Sequence, residues 1–382
     1  MRKIVPADIV LGEAIAHAIF DANGILLLRQ GAVITMPDQI TRMLARGALF
    51  NISNGQGMPG ALSASYPNPP LGLDDQSPFE ELGGLILNLK HVMGTALKSP
   101  EQIDVTARIK KIALAVQQIC HTDIDAALAA PCFDSYNAYI VVHQMMGAVL
   151  TELVAHSKGL DQAHRLSLVC AALTRDLGQI SIQAELDNHV GPMPDDLRTR
   201  MWQHPNQSAD LLTQAGVVDP IWLQAVRGHH DRLDGSGYPA GLKEDQVSVG
   251  ARILAVADIY SAMVKPRPYR SHALFSQNAL KEIYQKKDAE VDGEIVRMLI
   301  SKVGLLPPGT IVKLKSGEIA VIKSPTVKAG EATVYSIYGK TGMILPVPIR
   351  RETAQPGNEI TGLVAYADCR AATVTIKRIW AK

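Results

Sequence analysis

Two adjacent imidazoles lead into an acidic, glycine-rich loop that ends in proline: His229-His230-Asp231-Arg232-Leu233-Asp234-Gly235-Ser236-Gly237-Tyr238-Pro239. Imidazole nitrogen suits iron, manganese, zinc and similar ions. Gly235 and Gly237 let backbone approach a bulky anion such as phosphate. The string therefore suggests a metal site beside a pocket for a phosphate-bearing ligand.

Other candidate ligands are spread along the chain. His143 sits in the otherwise apolar run Tyr139-Ile140-Val141-Val142-His143-Gln144-Met145-Met146, where, taken alone, it reads first as an ordinary core histidine. Asp176 follows Ala171-Ala172-Leu173-Thr174-Arg175 at the end of an apolar helix. A buried carboxylate there needs a cation, either Arg175 or a metal. His204 precedes Pro205 in Trp202-Gln203-His204-Pro205-Asn206, where a surface or capping role competes with ligation. Asp258 lies within the nearly unbroken apolar helix Ala251 to Tyr260 and requires a partner. Each signal is weak alone, but together these imidazoles and carboxylates favour a metal centre over chance.

The elements that must position these groups are helices. Apolar residues recur at helical spacing from Phe79 to Val303, beginning with Leu82, Leu85, Ile86 and Leu89. Before them, residues 1–55 read as a small α+β segment, with a strand over Gly24 to Leu28 and a helix from Pro37 to Ala45. Residues 56–78, crowded with Gly, Pro, Ser and Asn, read as a linker. After Gly304 the pattern changes to a hairpin, Thr310 to Lys315 then Glu318 to Ile322, with β-branched runs returning near Ala332 and Ala372. The expected organisation is therefore mainly α: a helical domain over 79–303 and a small β domain over 304–382.

Composition narrows the function classes. Lysine plus arginine number 38 against 37 for aspartate plus glutamate in 382 residues, so no net field draws the chain to nucleic acid or an anionic membrane. Cys120, Cys132, Cys170 and Cys369 stand far apart with apolar neighbours and read as reduced and mostly buried. The first residues lack a signal peptide's apolar stretch, and no segment approaches the roughly 18 uncharged apolar residues of a membrane span. A cytoplasmic protein is the expectation.

The residues together resemble the HD-GYP family, the subgroup of HD-domain phosphohydrolases that hydrolyse the bacterial second messenger cyclic di-GMP. His229 to Pro239 is similar to that family's HHExxDGxGYP signature, and from Tyr136 to about Arg270 the order matches as well. A helix histidine, a helix ending at the His-Asp position, a His-Pro, the signature, an Ala-Asp helix and an Arg-Pro-Tyr-Arg run follow one another. The resemblance implies an all-helical HD-type domain with metal ligands at His143, Asp176, His204, His229, His230 and Asp258. Asp176 would bridge two ions and stand as the catalytic carboxylate. His143 and Asp258 would complete one site, and His204, His229 and His230 the other. It further implies that Arg267 and Arg270 contact substrate phosphate, and that Asp234, Gly235, Gly237, Tyr238 and Pro239 shape the pocket and contact diguanylate cyclase partners. Iron or manganese is the implied metal and cyclic di-GMP or a related nucleotide the implied ligand; the sequence leaves the oligomeric state open.

Two departures stand out. The His-Asp doublet reads Arg175-Asp176, and Gln179 replaces the lysine expected three residues later. Guanidinium has no lone pair to give a metal. Near the first ion it would repel that ion and could pair with Asp176 instead. Asp231 in place of Glu is a milder change. Asp176 with His204, His229 and His230 still offers one carboxylate and three imidazoles, so one ion or none is expected rather than two. Losing an ion and the lysine is expected to cost roughly a thousandfold or more in rate, at about 1.36 kcal/mol per decade. The sequence expectation is an HD-GYP signalling protein with weak or lost hydrolysis. Its alternatives are an active phosphodiesterase and a non-catalytic module that docks a cyclase through the GYP loop.

Overall fold

The computed structural model describes residues 2–3, 10, 12–13, 15, 19–20, 26–28, 33–34, 49–50, 77–189, 191–265, 274–325 and 331–381. The helix expected over Pro37 to Ala45, most of the 56–78 linker and the Arg267 to Arg270 run lie outside them. The chain divides into two compact units, Met1–Asp75 and Gln76–Lys382.

In the first unit, strands β1 (Arg2–Lys3), β2 (Ile19–Phe20), β3 (Leu26–Leu28) and β4 (Leu49–Phe50) form an antiparallel sheet in the order β1-β4-β2-β3. Ile15, Ile19 and Ile34 are buried there.

The second unit begins with helix α1 (Pro78–Lys98), whose N-cap Ser77 accepts from the Glu80 amide. Helix α1 thus takes in the last residue assigned to the linker, since proline at the first helical position has no amide to leave unsatisfied. Helices α2 (Val105–Thr122), α3 (Ile124–Ala129), α4 (Tyr139–Ser157), α5 (Gln162–Thr174), α6 (Ile180–Asn188), α7 (Asp195–Gln214), α8 (Pro220–Gly228), α9 (Val249–Val264), α10 (Ser276–Gln285) and α11 (Gly293–Val303) follow. Asp104, Asp161, Asp219, Ser248 and Asp292 cap their helices by accepting amide hydrogens, which fixes where α2, α5, α8, α9 and α11 start.

Helices α4 and α9 are apolar on nearly every side, and such helices belong in the interior. Residues Ile140 to Ala155 of α4 are all buried, as is most of α9, and the two pack against each other. Any polar group they carry is thereby taken out of water, which is how His143 and Asp258 come to sit deep in the bundle. Among the described residues no helix is long and apolar enough to cross a membrane.

Gly304, at φ 73°, ends α11, and a five-stranded antiparallel sheet follows. It comprises β5 (Ile311–Leu314), β6 (Ile319–Pro325), β7 (Ala332–Tyr338), β8 (Ile344–Glu352) and β9 (Ile360–Val364), in the order β8-β7-β6-β5-β9. The β-branched run near Ala372 is not a strand: Thr373–Lys377 forms helix α12. Its buried side chains, with Cys369, Ala372, Ile376, Ile379 and Trp380, recur at helical spacing and join the main core. Trp380 stacks on Phe79 at 5.2 Å, so burial of this face overrides local β propensity. The cysteines are free: Cys170 and Cys369 are buried, Cys120 and Cys132 half-buried.

Candidate metal centre

Five helices deliver the polar groups to one place. Helix α4 supplies His143, the end of α5 supplies Arg175 and Asp176, α7 supplies His204, the end of α8 supplies His229 and His230, and α9 supplies Asp258. Potential ligand atoms of Asp176, His204, His229 and His230 lie within 4.8 Å of one another, as do those of His143, Asp176 and Asp258. All six positions implied for the metal thus come together, and Asp176 belongs to both groups.

The first group is arranged to receive a cation. His204 Nδ1 lies 2.6 Å from the Met201 carbonyl, and His229 Nδ1 lies 2.7 Å from the Val226 carbonyl. A carbonyl can only accept, so both Nδ1 atoms carry hydrogen and both neutral rings present a lone pair at Nε2. These two Nε2 atoms face each other at 3.3 Å and sit 3.3 Å and 3.5 Å from Asp176 Oδ1. Lone pairs and a carboxylate oxygen converging without a donor repel one another unless a cation or a proton lies among them. The donor set therefore fits a divalent metal. The half-buried His230 ring lies 4.2 Å from that of His229, tilted by 41°, and desolvation with the neighbouring His229 holds its imidazole well below the ordinary value, in the neutral form a ligand needs.

The second group is organised around the guanidinium. Arg175 is 1% exposed, and its Nε donates to Asp258 Oδ1 at 3.0 Å. Asp176 Oδ2 is farther, at 3.6 Å, so the main carboxylate partner is Asp258 and not the Asp176 expected from sequence. The reason is the side chain's course: it reaches across the bundle to α9, donating also to the carbonyls of Ala172 at 2.6 Å and His143 at 3.4 Å. His143 Nε2 approaches the same Asp258 oxygen at 2.9 Å, while its Nδ1 is buried without a partner. That contact places the ring hydrogen on Nε2, the atom a metal would require bare. The present donor set does not fit an ion here.

Electrostatics follow from this packing. Burial alone would raise the Asp176 and Asp258 carboxyls, but Arg175 foremost, then the nearby imidazoles, hold both well below the usual carboxylate range. Burial would likewise weaken the Arg175 charge, and Asp176 and Asp258 outweigh it. Burial, then Arg175, lowers His143. Two carboxylates and one guanidinium leave one net negative charge, which a single divalent ion more than offsets.

Three glycines make the arrangement sterically possible. A Cβ on Gly147 would lie 2.5 Å from Arg175 Nη1 and 3.0 Å from Cζ, so the guanidinium occupies space that only glycine leaves open on α4. A Cβ on Gly178 would meet the His204 carbonyl at 2.8 Å, which lets the turn after Asp176 press against α7. A Cβ on Gly237 would lie 2.4 Å from both the Arg232 amide and the His230 carbonyl. Gly237 thus lets the loop fold back, and the Tyr238 amide donates to His230 O at 3.2 Å.

The remaining residues singled out from sequence fall around this cluster. Gln179 turns along α6 to donate to Gln183 at 2.9 Å. Asp234 accepts from the Ser236 amide and hydroxyl at 2.9 Å and 2.7 Å, closing a turn with Gly235 at φ 81°. Asp231 Oδ1 accepts from the Leu242 amide at 3.1 Å, tying down the far end of the loop, of which Pro239 is a half-buried member. Arg267 and Arg270 lie outside the described residues. Gly147 was not anticipated, although glycine inside a buried apolar helix, at about 1 kcal/mol worse than alanine, signals a packing reason. Gly178 was also missed as a contributor to the site.

A helical bundle that brings one shared carboxylate to histidines from three other helices forms a candidate metal centre, and residues 126–295 match the family model described as HD domain. The chain is 28% identical to a cyclic di-GMP phosphodiesterase of Pseudomonas aeruginosa, over 52% of this chain and 47% of that one. It is 29% identical to 3'3'-cGAMP-specific phosphodiesterase 3 of Vibrio cholerae, over 46% of this chain and 37% of that one. It is 34% identical to the cyclic di-GMP phosphodiesterase response regulator RpfG of Xanthomonas campestris pv. campestris, over 39% of each chain. The chain spans about half the length, or less, of these relatives. In fold it is similar to Bd1817, an HDG"Y"P protein of Bdellovibrio bacteriovorus, with a TM-score of 0.53 and 13% identity over 78% of this chain and 98% of that one. Residues 126–295 are thus similar to HD domains, and the chain is similar to several cyclic di-GMP phosphodiesterases, with Arg175-Asp176 standing at the His-Asp position that the sequence resemblance implies.

Proposed function

We propose that this chain is an HD-GYP signalling protein that holds one divalent transition metal, iron or manganese, at Asp176, His204, His229 and His230. It binds cyclic di-GMP or a related nucleotide there and hydrolyses it weakly or not at all. The observation that carries this reading is the Arg175 guanidinium, buried and 3.0 Å from Asp258, in the place where the family resemblance expects a second ion. When bound, the single ion supplies a Lewis acid for a phosphate oxygen. His204 and His229 orient their Nε2 lone pairs through carbonyl hydrogen bonds, and Asp176 balances charge on both sides. Arg175 fixes Asp258 and His143 in a salt-bridged arrangement that neither moves a proton nor activates water.

The test has two parts. Protein expressed in iron- and manganese-supplemented medium should carry one ion per chain by elemental analysis, bind cyclic di-GMP in calorimetry, and leave it largely intact over hours. Turnover at 1 per second or faster, near the low end of about 1–1000 per second usual for enzymes, would overturn the reading. The exposure of Asp234 and Ser236 at the loop tip supports a second reading, a module that docks a diguanylate cyclase. It predicts no bound metal and no nucleotide affinity, which the same two measurements distinguish.

A further inference from the structure

From His230 of the metal centre runs a column of flat groups, Tyr238, Trp202 and Arg198, that the ligand set does not require. The His230 ring stacks on Tyr238 at 4.6 Å and 27°. Tyr238 stacks in turn on Trp202 at 5.7 Å and 23°, and the Arg198 guanidinium carbon lies 5.7 Å from the Trp202 ring. Helix α7 sets this up, because Arg198 and Trp202 are four residues apart on one face, while His204 points inward two residues further on. Trp222 is fully buried and Trp380 is 3% exposed, whereas Trp202 is 44% exposed. Leaving that much indole in water costs hydrophobic free energy that burial elsewhere would have recovered.

The Arg198 end of the column is loose. Its carboxylate partner Asp195 is 89% exposed and its own side chain 46%, and exposed pairs of this kind contribute little. A guanidinium held this weakly can lift from the indole and close again on a planar guest. Nucleobases stack on both aromatic rings and arginine planes.

We propose that Trp202 and Arg198 form a nucleobase-stacking site, in which the base of a purine nucleotide lies between guanidinium and indole while its phosphate reaches the centre at Asp176, His204, His229 and His230. This rests on the nucleotide-binding reading above and deepens it by placing the base. Tyr238 backs the indole and connects it to His230, so a guest on the plate lies two rings from a metal-group histidine. A purine is favoured over a pyrimidine because its larger π surface covers more of the indole.

The test uses the full chain with manganese. Trp202 is the exposed one of the chain's three tryptophans, so it reports a guest directly through fluorescence. Cyclic di-GMP should quench it, with a midpoint equal to the calorimetric affinity, and GMP should bind more tightly than UMP. Trp202→Ala should weaken cyclic di-GMP by about 5- to 150-fold, the range for about 1–3 kcal/mol of stacking per base, while Trp202→Phe keeps most of the affinity. Metal content equal to wild type in Trp202→Ala would show an intact centre. Calorimetric binding without a fluorescence change, or unaltered affinity in Trp202→Ala, would overturn the stacking site and leave the nucleotide reading standing. No binding of any nucleotide to the wild-type protein would overturn both.

Discussion

The two halves of the centre share Asp176 and little else. On one side, His204 and His229 commit their Nδ1 hydrogens to backbone carbonyls and turn bare Nε2 atoms inward. On the other, Asp258 Oδ1 accepts from both His143 Nε2 and Arg175 Nε. The first half is a set of acceptors that suits a cation, and the second contains one that is covalently attached to the chain, the Arg175 guanidinium. A buried cluster of carboxylates requires positive charge, and either a metal or a guanidinium can provide it. Only the metal offers open coordination positions for a reacting group.

If the halves differ in this way, removing what they share should damage both. Asp176→Ala should reduce bound metal from one per chain to near zero and also remove the more distant of the two carboxylates beside Arg175. The second effect should lower stability by less than the roughly 3–5 kcal/mol of a fully broken buried pair, because Asp258 at 3.0 Å still neutralises the guanidinium. Elemental analysis and denaturant unfolding check the two effects separately. Metal retained at wild-type occupancy would show that the carboxylate serves only the arginine side.

Arg175→Ala acts on one half. It should cost about 3–5 kcal/mol in metal-free protein, because Asp176 and Asp258 then face each other buried and unneutralised. Added manganese should recover much of this loss, since the vacated place becomes a second acceptor set. The gain in melting temperature on metal addition should therefore exceed that of wild type. Arg175→His with Gln179→Lys should go further, raising the metal content to two ions per chain and increasing cyclic di-GMP hydrolysis by roughly a thousandfold, about 4 kcal/mol of transition-state stabilisation. If neither occupancy nor rate rises, the second half is not a former ion site.

Much of this contrast could be read from residue types, and the unreadable part has physical causes. Helical spacing from Phe79 to Val303 and the turn to β pairing after Gly304 follow from periodicity, and the structure follows them closely. That arginine cannot ligate was equally plain. Which carboxylate it would choose was not, because the choice depends on how far its long side chain reaches across the bundle to α9, a tertiary fact. The helix at Thr373–Lys377 was hidden for a similar reason. Thr373, Val374, Thr375 and Ile376 have strand propensity, and only the core beside Phe79 and Phe133 makes a helical face worth more. Gly147 stood in the sequence without an apparent role until the guanidinium beside it was placed.

Acidity should separate the halves without mutation. His143 and His230 are held below the ordinary imidazole value of about 6.5, so below that pH the unfolded chain takes up protons that the folded chain refuses. The stability of chelator-treated protein should therefore begin to fall as pH drops below about 6.5, and bound metal should be released over the same range as the imidazoles compete for protons. Asp176 and Asp258 are held well below the usual carboxylate value, so their contribution is in place above about 3.9 and is lost only as pH falls through their lowered folded values. Unfolding measured from pH 8 to 3, with metal content read alongside, should show the ion gone while the Arg175 pair still holds. Simultaneous loss of both would mean the halves are not independent.

The smallest effect concerns the fit of the guanidinium. Gly147→Ala places a methyl where Arg175 Nη1 now lies, and the neighbour that must yield is the charged end of a side chain pinned at Ala172, His143 and Asp258. The cost should be about 1–3 kcal/mol, typical of an extra methyl forced into a packed interior. Bound metal should be unchanged, because the atoms nearest the added methyl all belong to Arg175. In an Arg175→His background the same alanine should be harmless or slightly favourable, since the space is empty and alanine is the better helix former by about 1 kcal/mol. The coupling between the two substitutions in a double-mutant cycle should then be about 1–3 kcal/mol, well above the few tenths expected of independent sites. Additive effects would mean the glycine does not serve the arginine, and that the guanidinium reached Asp258 without space having been made for it.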